Sequence, residues 1–220
     1  MLTLAAEGAA EGLWLRAERQ TMGRGRMGRD WRSPPGNLYA SNLVRLRPGD
    51  PPAPSLTFVA AVALLDALRS FAPDADWQIK WPNDLLADGA KASGILPERA
   101  GDAVVVGIGV NLASHPQNLG RPTTSIASLT GVAPDPATFL EALADKFETW
   151  RDIWRREGLP RVLARWREVA HPDGTRLSVA LPEGGRLDGS YAGLDADGAL
   201  LLRLADGATR VIHAGDVFLV

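Results

Sequence analysis

Three glycines, Gly23, Gly25 and Gly28, stand in G-x-G-x-x-G spacing behind a segment of alternating apolar and polar residues, and the residues after them constrain the fold. In a dinucleotide-binding βαβ unit the third glycine opens a helix whose N-terminus faces a pyrophosphate. Here the chain runs Arg29-Asp30-Trp31-Arg32-Ser33-Pro34-Pro35. Proline lacks the N–H a helix interior needs, and the residue before a proline is pushed to extended backbone. No regular helix continues past Ser33. The only acid near the distance expected for a ribose contact, Asp50, lies in a proline-rich stretch and does not end a strand. The Gly-Lys-Ser/Thr ending of a Walker A loop is also missing. Both nucleotide folds are therefore rejected, and residues 23–31 read as an arginine-studded loop between two strands.

Those strands are residues 13–18 and 37–46. Residues 47–54, RPGDPPAP, form a surface loop. Residues 55–71 read as a helix with Ser55 as N-cap and with Phe58, Val62, Leu65 and Leu68 on one face. Residues 76–81 and 84–87 read as strands around a Trp-Pro-Asn break, and Asp88-Gly89 is a hairpin turn signal. Strands are also expected at 92–98 and 103–112. From Pro136 the pattern turns helical, with Leu143, Phe147, Trp150 and Trp154 at helix spacing and a second helix at 159–169. These tryptophans are assigned to core packing. After His171-Pro172, short strands at 176–180, 186–193, 199–204 and 209–213 alternate with Gly184-Gly185, Asp197-Gly198 and Asp206-Gly207. That texture predicts a small antiparallel barrel. Two domains are expected, 1–170 and 171–220.

With no cysteine, the chain has no disulfide, thiolate metal site or thioester nucleophile. No apolar run in the sequence reads as approaching the ~20 residues of a membrane span. The N-terminus lacks the basic and apolar regions of a signal peptide. A cytoplasmic protein is expected. His115, His171 and His213 show no ligand spacing, so no metal site is assigned to protein side chains. Of 24 Lys plus Arg, only Lys80, Lys91 and Lys146 are lysines. Where arginine is the default cation, a lysine points to a use for its compact ammonium.

Four segments carry candidate chemistry. Arg24, Arg26, Arg29 and Arg32 lie within the glycine-rich loop of a chain whose net charge is −2. Arginine grips phosphate and carboxylate oxygens through a planar fork of donors; the competing account is an exposed arginine-rich turn. In Lys80-Trp81-Pro82-Asn83-Asp84 the proline breaks a strand and aims an amide and a carboxylate together. That pair suits a ribose, an amine or hydrated magnesium, or simply caps its own turn. In Lys91-Ala92-Ser93-Gly94-Ile95-Leu96 the in-strand glycine suggests close approach by a ligand or backbone, and a surface lysine beside a turn is the alternative. In Gly107-Ile108-Gly109-Val110-Asn111-Leu112 the asparagine ends an apolar strand, as a ligand contact or a cap.

In this order the four segments resemble the motif series of biotin–protein ligases, over about residues 5–220. The resemblance implies an α/β (α+β) mixed-sheet catalytic domain of the biotin/lipoate ligase type, followed by a small SH3-like β-barrel. It implies ATP-dependent attachment of biotin to a lysine of a biotin carboxyl carrier protein through biotinyl-5′-AMP. ATP and biotin are then substrates, with Mg2+ expected alongside ATP. Lys91 and Arg26 are implied as catalytic. Gln20, Arg24, Gly25, Arg26, Trp31, Lys91 and Gly94 are implied on the biotin side, with Gly94 letting backbone approach biotin. Arg26, Arg29, Asn83, Asp84 and Asn111 are implied on the ATP side. Thr123-Thr124-Ser125 is a weaker match to an adenylate-side loop, and Lys80 is expected to act structurally. The implied partner is the carrier protein of a carboxylase, with no DNA and no membrane; a homodimer is compatible.

Two departures stand out. The family pattern opens with a strand, an acid, Ser-Thr-Asn and a helix, whereas Met1-Leu2-Thr3-Leu4-Ala5 resembles the tail of that helix. A misplaced start and weak biotin affinity are expected from this. No DNA-binding module precedes residue 13, so a ligase without repressor function is expected. Lipoate–protein ligase is the nearest alternative. A nucleic-acid-binding module is the alternative of another class, and the net charge of −2 weighs against it.

Overall fold

The computed structural model describes residues 1–117 and 120–220. After a short helix α1 (Leu2–Ala6) come β1 (Trp14–Ala17), β2 (Leu38–Arg45), α2 (Leu56–Phe71), β3 (Trp77–Lys80), β4 (Asp84–Ala87), β5 (Ala90–Ala100) and β6 (Ala103–Val110). These strands form one six-stranded sheet in the order β1-β2-β6-β5-β4-β3. Its named pairs are antiparallel, and a bridge from Lys91 to Thr123 supplies parallel pairing. Asp88 (φ 49°) and Gly89 (φ 76°) are both left-handed, the geometry of a tight hairpin turn.

A short helix, α3 (Ile126–Thr130), leads from the sheet to two longer ones. One face of the sheet is covered by α2, α4 (Pro136–Glu157) and α5 (Leu159–Arg167). Helix α2 does not present a single apolar face. Eleven of its 16 residues are buried, because its alanines let neighbours close in on every side. Counting its lead-in turn, Ala53–Phe71 is long and apolar enough to cross a membrane, which corrects the expectation that no such segment exists. In the fold it is the central core helix. Ser55 is not a side-chain cap either: its backbone is already helical. Its hydroxyl donates to Pro52 O (2.6 Å) and accepts the indole N–H of buried Trp154 (2.8 Å). Helix α4 is capped instead by Asp135, whose carboxylate accepts the N–H groups of Ala137 and Thr138, each at 2.9 Å. Phe139, Leu143, Phe147 and Trp154 form its buried stripe.

Arg155, near the end of α4, ties the helices to the N-terminal segment. It holds Glu11 at 2.6 and 3.1 Å and Asp50 at 3.3 Å, and donates to Arg45 O at 2.8 Å. Burial pushes the Glu11 carboxyl up, but hydrogen bonds from Arg155 and Arg47 outweigh it and bring the group to about 2. A folded-state value below the unfolded one contributes stability above the unfolded value, lost as pH falls through the folded value. Glu11→Gln is therefore expected to flatten the fall in thermal midpoint between about pH 4.5 and 2. An unchanged acid limb in the variant would show that the network does not carry this dependence.

The second unit is a five-stranded antiparallel sheet, ordered β10-β9-β8-β7-β11. Its strands are β7 (Arg176–Ala180), β8 (Arg186–Leu194), β9 (Leu200–Arg203), β10 (Thr209–Ile212) and β11 (Asp216–Leu219). The last strand is not among those expected from the sequence; its inward residue Val217 is flanked by too little alternation to stand out. The core is shared: Leu177, Val179, Tyr191 and Leu202 join the same buried cluster as α2. At the seam the Trp81 indole donates to Gly198 O (3.0 Å). A Cβ at Gly198 would lie 2.4 Å from Phe58, and φ there is 86°, so only glycine fits.

Candidate active site

The exposed face of the sheet carries Ser41, Gly94, Gly107 and Gly109, and the arginine loop folds across it. The loop is a small ladder. Trp31 N–H donates to Gly23 O (2.9 Å) and Gly25 N–H to Arg29 O (2.7 Å), with a bridge between Arg24 and Asp30. The reversal falls at Met27 (φ 55°) and Gly28 (φ 70°), with no helix beyond a single 3-10 turn. A Cβ at Gly23 would sit 2.3 Å from Trp31 O, so the ladder requires glycine there.

This ladder lays the Trp31 indole on the sheet. A Cβ at Gly109 would come within 2.6 Å of the ring, and one at Gly94 within 3.3 Å of the ring and 3.2 Å of Lys91 Nζ. Gly94 therefore has Trp31 and Lys91 packed close beside it, and its backbone also lines the first cavity. The Trp31 indole nitrogen is buried, with no hydrogen-bond partner among the described residues. Lys91 Nζ lies 5.6 Å from the Trp31 ring centroid, within cation–π range.

Lys91 is buried on β5, its backbone anchored by bonds with Pro122 and Thr124, each at 3.0 Å. Its ammonium is ion-paired with Asp84, and the other Asp84 oxygen lies 3.6 Å from Arg121 Nη1. Burial draws the Lys91 pKa down, and Asp84 opposes the shift. Lys80 is lowered by burial as well, with Asp84 again opposing. Asn83 donates to Ile95 O (2.7 Å) and accepts from Arg26 (3.4 Å). Arg26 also donates to Gly215 O (3.2 Å), and burial pulls its pKa down. Arg29 pairs with Asp216 (2.9 Å). The second unit therefore holds two arginines of the loop. Gln20 accepts from Ser33 (2.9 Å), and Asn111 donates to Thr124 O (3.0 Å).

Two adjoining cavities result. The first, about 240 Å³, is lined by Gln20, Arg24, Gly25, Arg26, Arg29, Trp31, Asn83, Asp84, Lys91 and Gly94. The second, about 410 Å³, is lined by Arg29, Trp31, Lys91, Asn111, Thr123 and Phe218 among others. Every residue implied on the biotin or ATP side except Asn111 reaches the first, and Asn111 lines the second with Arg32 and Thr123. Trp31, Lys91, Arg29 and Arg121 border both. The sequence did not single out Arg121, Gly215, Asp216 or Phe218, and Gly109 stood out only as part of a motif. Among the described residues no three His, Asp or Glu form a metal-binding group. His171 is buried, its pKa lowered by burial, and stands apart from both cavities.

A glycine-floored sheet, a capping arginine loop and two adjoining cavities with a buried lysine on their border suit an acyl-activating ligase of the biotin/lipoate type. Residues 7–112 match the biotin/lipoate A/B protein ligase family, and residues 178–220 match the biotin protein ligase C-terminal domain. A biotin–[acetyl-CoA-carboxylase] ligase of Paracoccus denitrificans is 39% identical over 97% of this chain and 92% of its own length. One from Mycobacterium tuberculosis is 36% identical over 99% of this chain and 83% of its own length. The biotin protein ligase of Aquifex aeolicus, solved in complex with biotin and ATP, superposes with a TM-score of 0.86 at 26% identity, covering 99% of this chain and 93% of that one. The chain belongs to the biotin protein ligase family.

Proposed function

We propose that this chain joins biotin to a lysine of a biotin carboxyl carrier protein in two steps, with residues 1–170 as the catalytic domain and 171–220 as a second domain that completes the site. The observation that carries this reading is the placement of Lys91 on the border of the two cavities, with Arg26 lining the first. In the first step a biotin carboxylate oxygen attacks the α-phosphorus of ATP. The bond to the bridging oxygen breaks, and pyrophosphate leaves. An anion must approach a polyanion, so the barrier is largely electrostatic and positional. Lys91 and Arg26 offset that repulsion, and Arg29 and Asn111 hold the nucleotide side. Gln20, Arg24 and Trp31 border the acid. Asp84 pairs with the buried lysine and favours its charged form against burial. In the second step the carrier's amine displaces AMP, so the enzyme needs no nucleophile of its own.

Magnesium fits as an ion carried by the triphosphate. The oxygens of Asp84 face Lys91 and Arg121 and that of Asn83 faces Arg26, so the proposed ion would be held by the phosphates and water and not by these side chains. When bound it would neutralise phosphate charge. The proposed setting is the cytoplasm, with a carboxylase carrier as partner and neither DNA nor membrane.

The test is ATP–pyrophosphate exchange with biotin, with lipoate, and with neither acid. Exchange that depends on biotin alone is expected. Exchange with lipoate alone would move the chain to the neighbouring activity, and none with either acid would overturn acid activation.

A further inference from the structure

A third space, about 560 Å³, opens along the seam between the two units. It shares Arg26 and Asn83 with the acid cavity. We propose that this seam cleft is the entry path for the acceptor lysine, leading its amine to the acyl phosphate by a route separate from the nucleotide cavity. The proposal rests on the biotinyl-adenylate reading of the site.

The chemistry of the walls suits that one side chain. Phe58, Trp81, Leu96 and Pro97 line the cleft with apolar surface. Lysine buries its four-carbon stem along such surface while its head seeks polar groups. The cleft ends inward at Asn83 and Arg26. Asp197 stands exposed at the outer rim and offers an arriving ammonium an opposite charge. Apolar walls then disfavour the charged form and favour the free amine that must attack. The width is fixed, because the Trp81 to Gly198 hydrogen bond (3.0 Å) and the close packing of Gly198 on Phe58 pin the seam. Arg29 and Asn111 line the nucleotide cavity and not this one, so both reactants can be present together.

The step balances without a further reactant. The lysine ammonium loses a proton to water, and the amine nitrogen bonds to the biotinyl carbonyl carbon. The bond from that carbon to the phosphate oxygen breaks, AMP leaves, and the nitrogen releases a second proton.

Two substitutions at the rim test the route in the full chain. Thr57 is half-buried in the first turn of α2, and Asp197 is exposed. Thr57→Trp is expected to leave biotin-dependent pyrophosphate exchange within about twofold, while single-turnover transfer from biotinyl-AMP to an acetyl-CoA carboxylase carrier domain falls about tenfold or more. Asp197→Lys is expected to slow transfer about threefold, more at low ionic strength. Hydroxylamine, small enough to pass a narrowed cleft, should capture the adenylate at the unsubstituted rate in both. Unchanged carrier transfer in Thr57→Trp with exchange intact overturns the route. If Thr57→Trp also loses exchange, Asp197→Lys decides alone, and unchanged transfer in it overturns the route. Absence of exchange in the unsubstituted chain would instead remove the adenylate reading.

Discussion

Replacing Lys91 with alanine is expected to lower biotin-dependent pyrophosphate exchange by about 10²–10³-fold, the usual effect of removing one charge-stabilising group from a closed site. The thermal midpoint should fall by only a few degrees. Stability and activity separate here because of Asp84. Breaking a buried ion pair costs about 3–5 kcal/mol when the remaining charge is left alone. Asp84 is not left alone: Arg121 lies 3.6 Å from its other oxygen, and the pair borders a cavity that water can fill. The ammonium proposed to face the reacting oxygens has no such substitute, since Arg26 is held in its own place by Asn83 and Gly215 and acts beside Lys91 without being able to take its position. Lys91→Arg should not rescue exchange, because a planar fork cannot occupy the space between Gly94 and Trp31. Parallel loss of exchange and stability in Lys91→Ala would refute a catalytic role.

The second large effect is expected at Gly109. A single methyl there would stand 2.6 Å from the Trp31 ring, so Gly109→Ala must lift the indole off the sheet. Trp31 is hydrogen-bonded back to Gly23, so the shift passes into the arginine loop and displaces Arg26 and Arg29. A misplacement of about 1 Å can cost 10²-fold in rate, and a loss of that order in biotin-dependent exchange is expected. Tryptophan emission should shift toward the exposed value at the same time. Gly107→Ala is the control: its methyl meets only Leu96 O, at 3.1 Å, and not the indole. Equal, small losses in the two variants would show that Trp31 does not form the wall of the site.

Much of the scaffold was legible because it is local. The Asp88-Gly89 turn, the capped stripe of α4 and the strand Arg176–Ala180 each depend on neighbours in sequence. Most residues lining the two cavities were legible too, since the motifs pair cations with glycines at the places the sheet brings together. What escaped was long-range. Ser55 looks like a cap but serves as hydrogen-bond acceptor for Trp154, 99 residues away. The all-round burial of α2 depends on what packs against its alanines, which periodicity cannot report. Arg121 lies in none of the four motifs, and only the fold carries it to Asp84. Gly94 signalled a close approach, and the protein's own Trp31 and Lys91 stand beside it on the cavity wall.

The grip of Gly215 and Asp216 on Arg26 and Arg29 spans 189 and 187 residues. During synthesis the arginine loop emerges long before these anchors. Closing so long a loop waits on translation of everything between. A nascent chain therefore carries these two cations unfastened until Gly215 and Asp216 have been made and have folded against them.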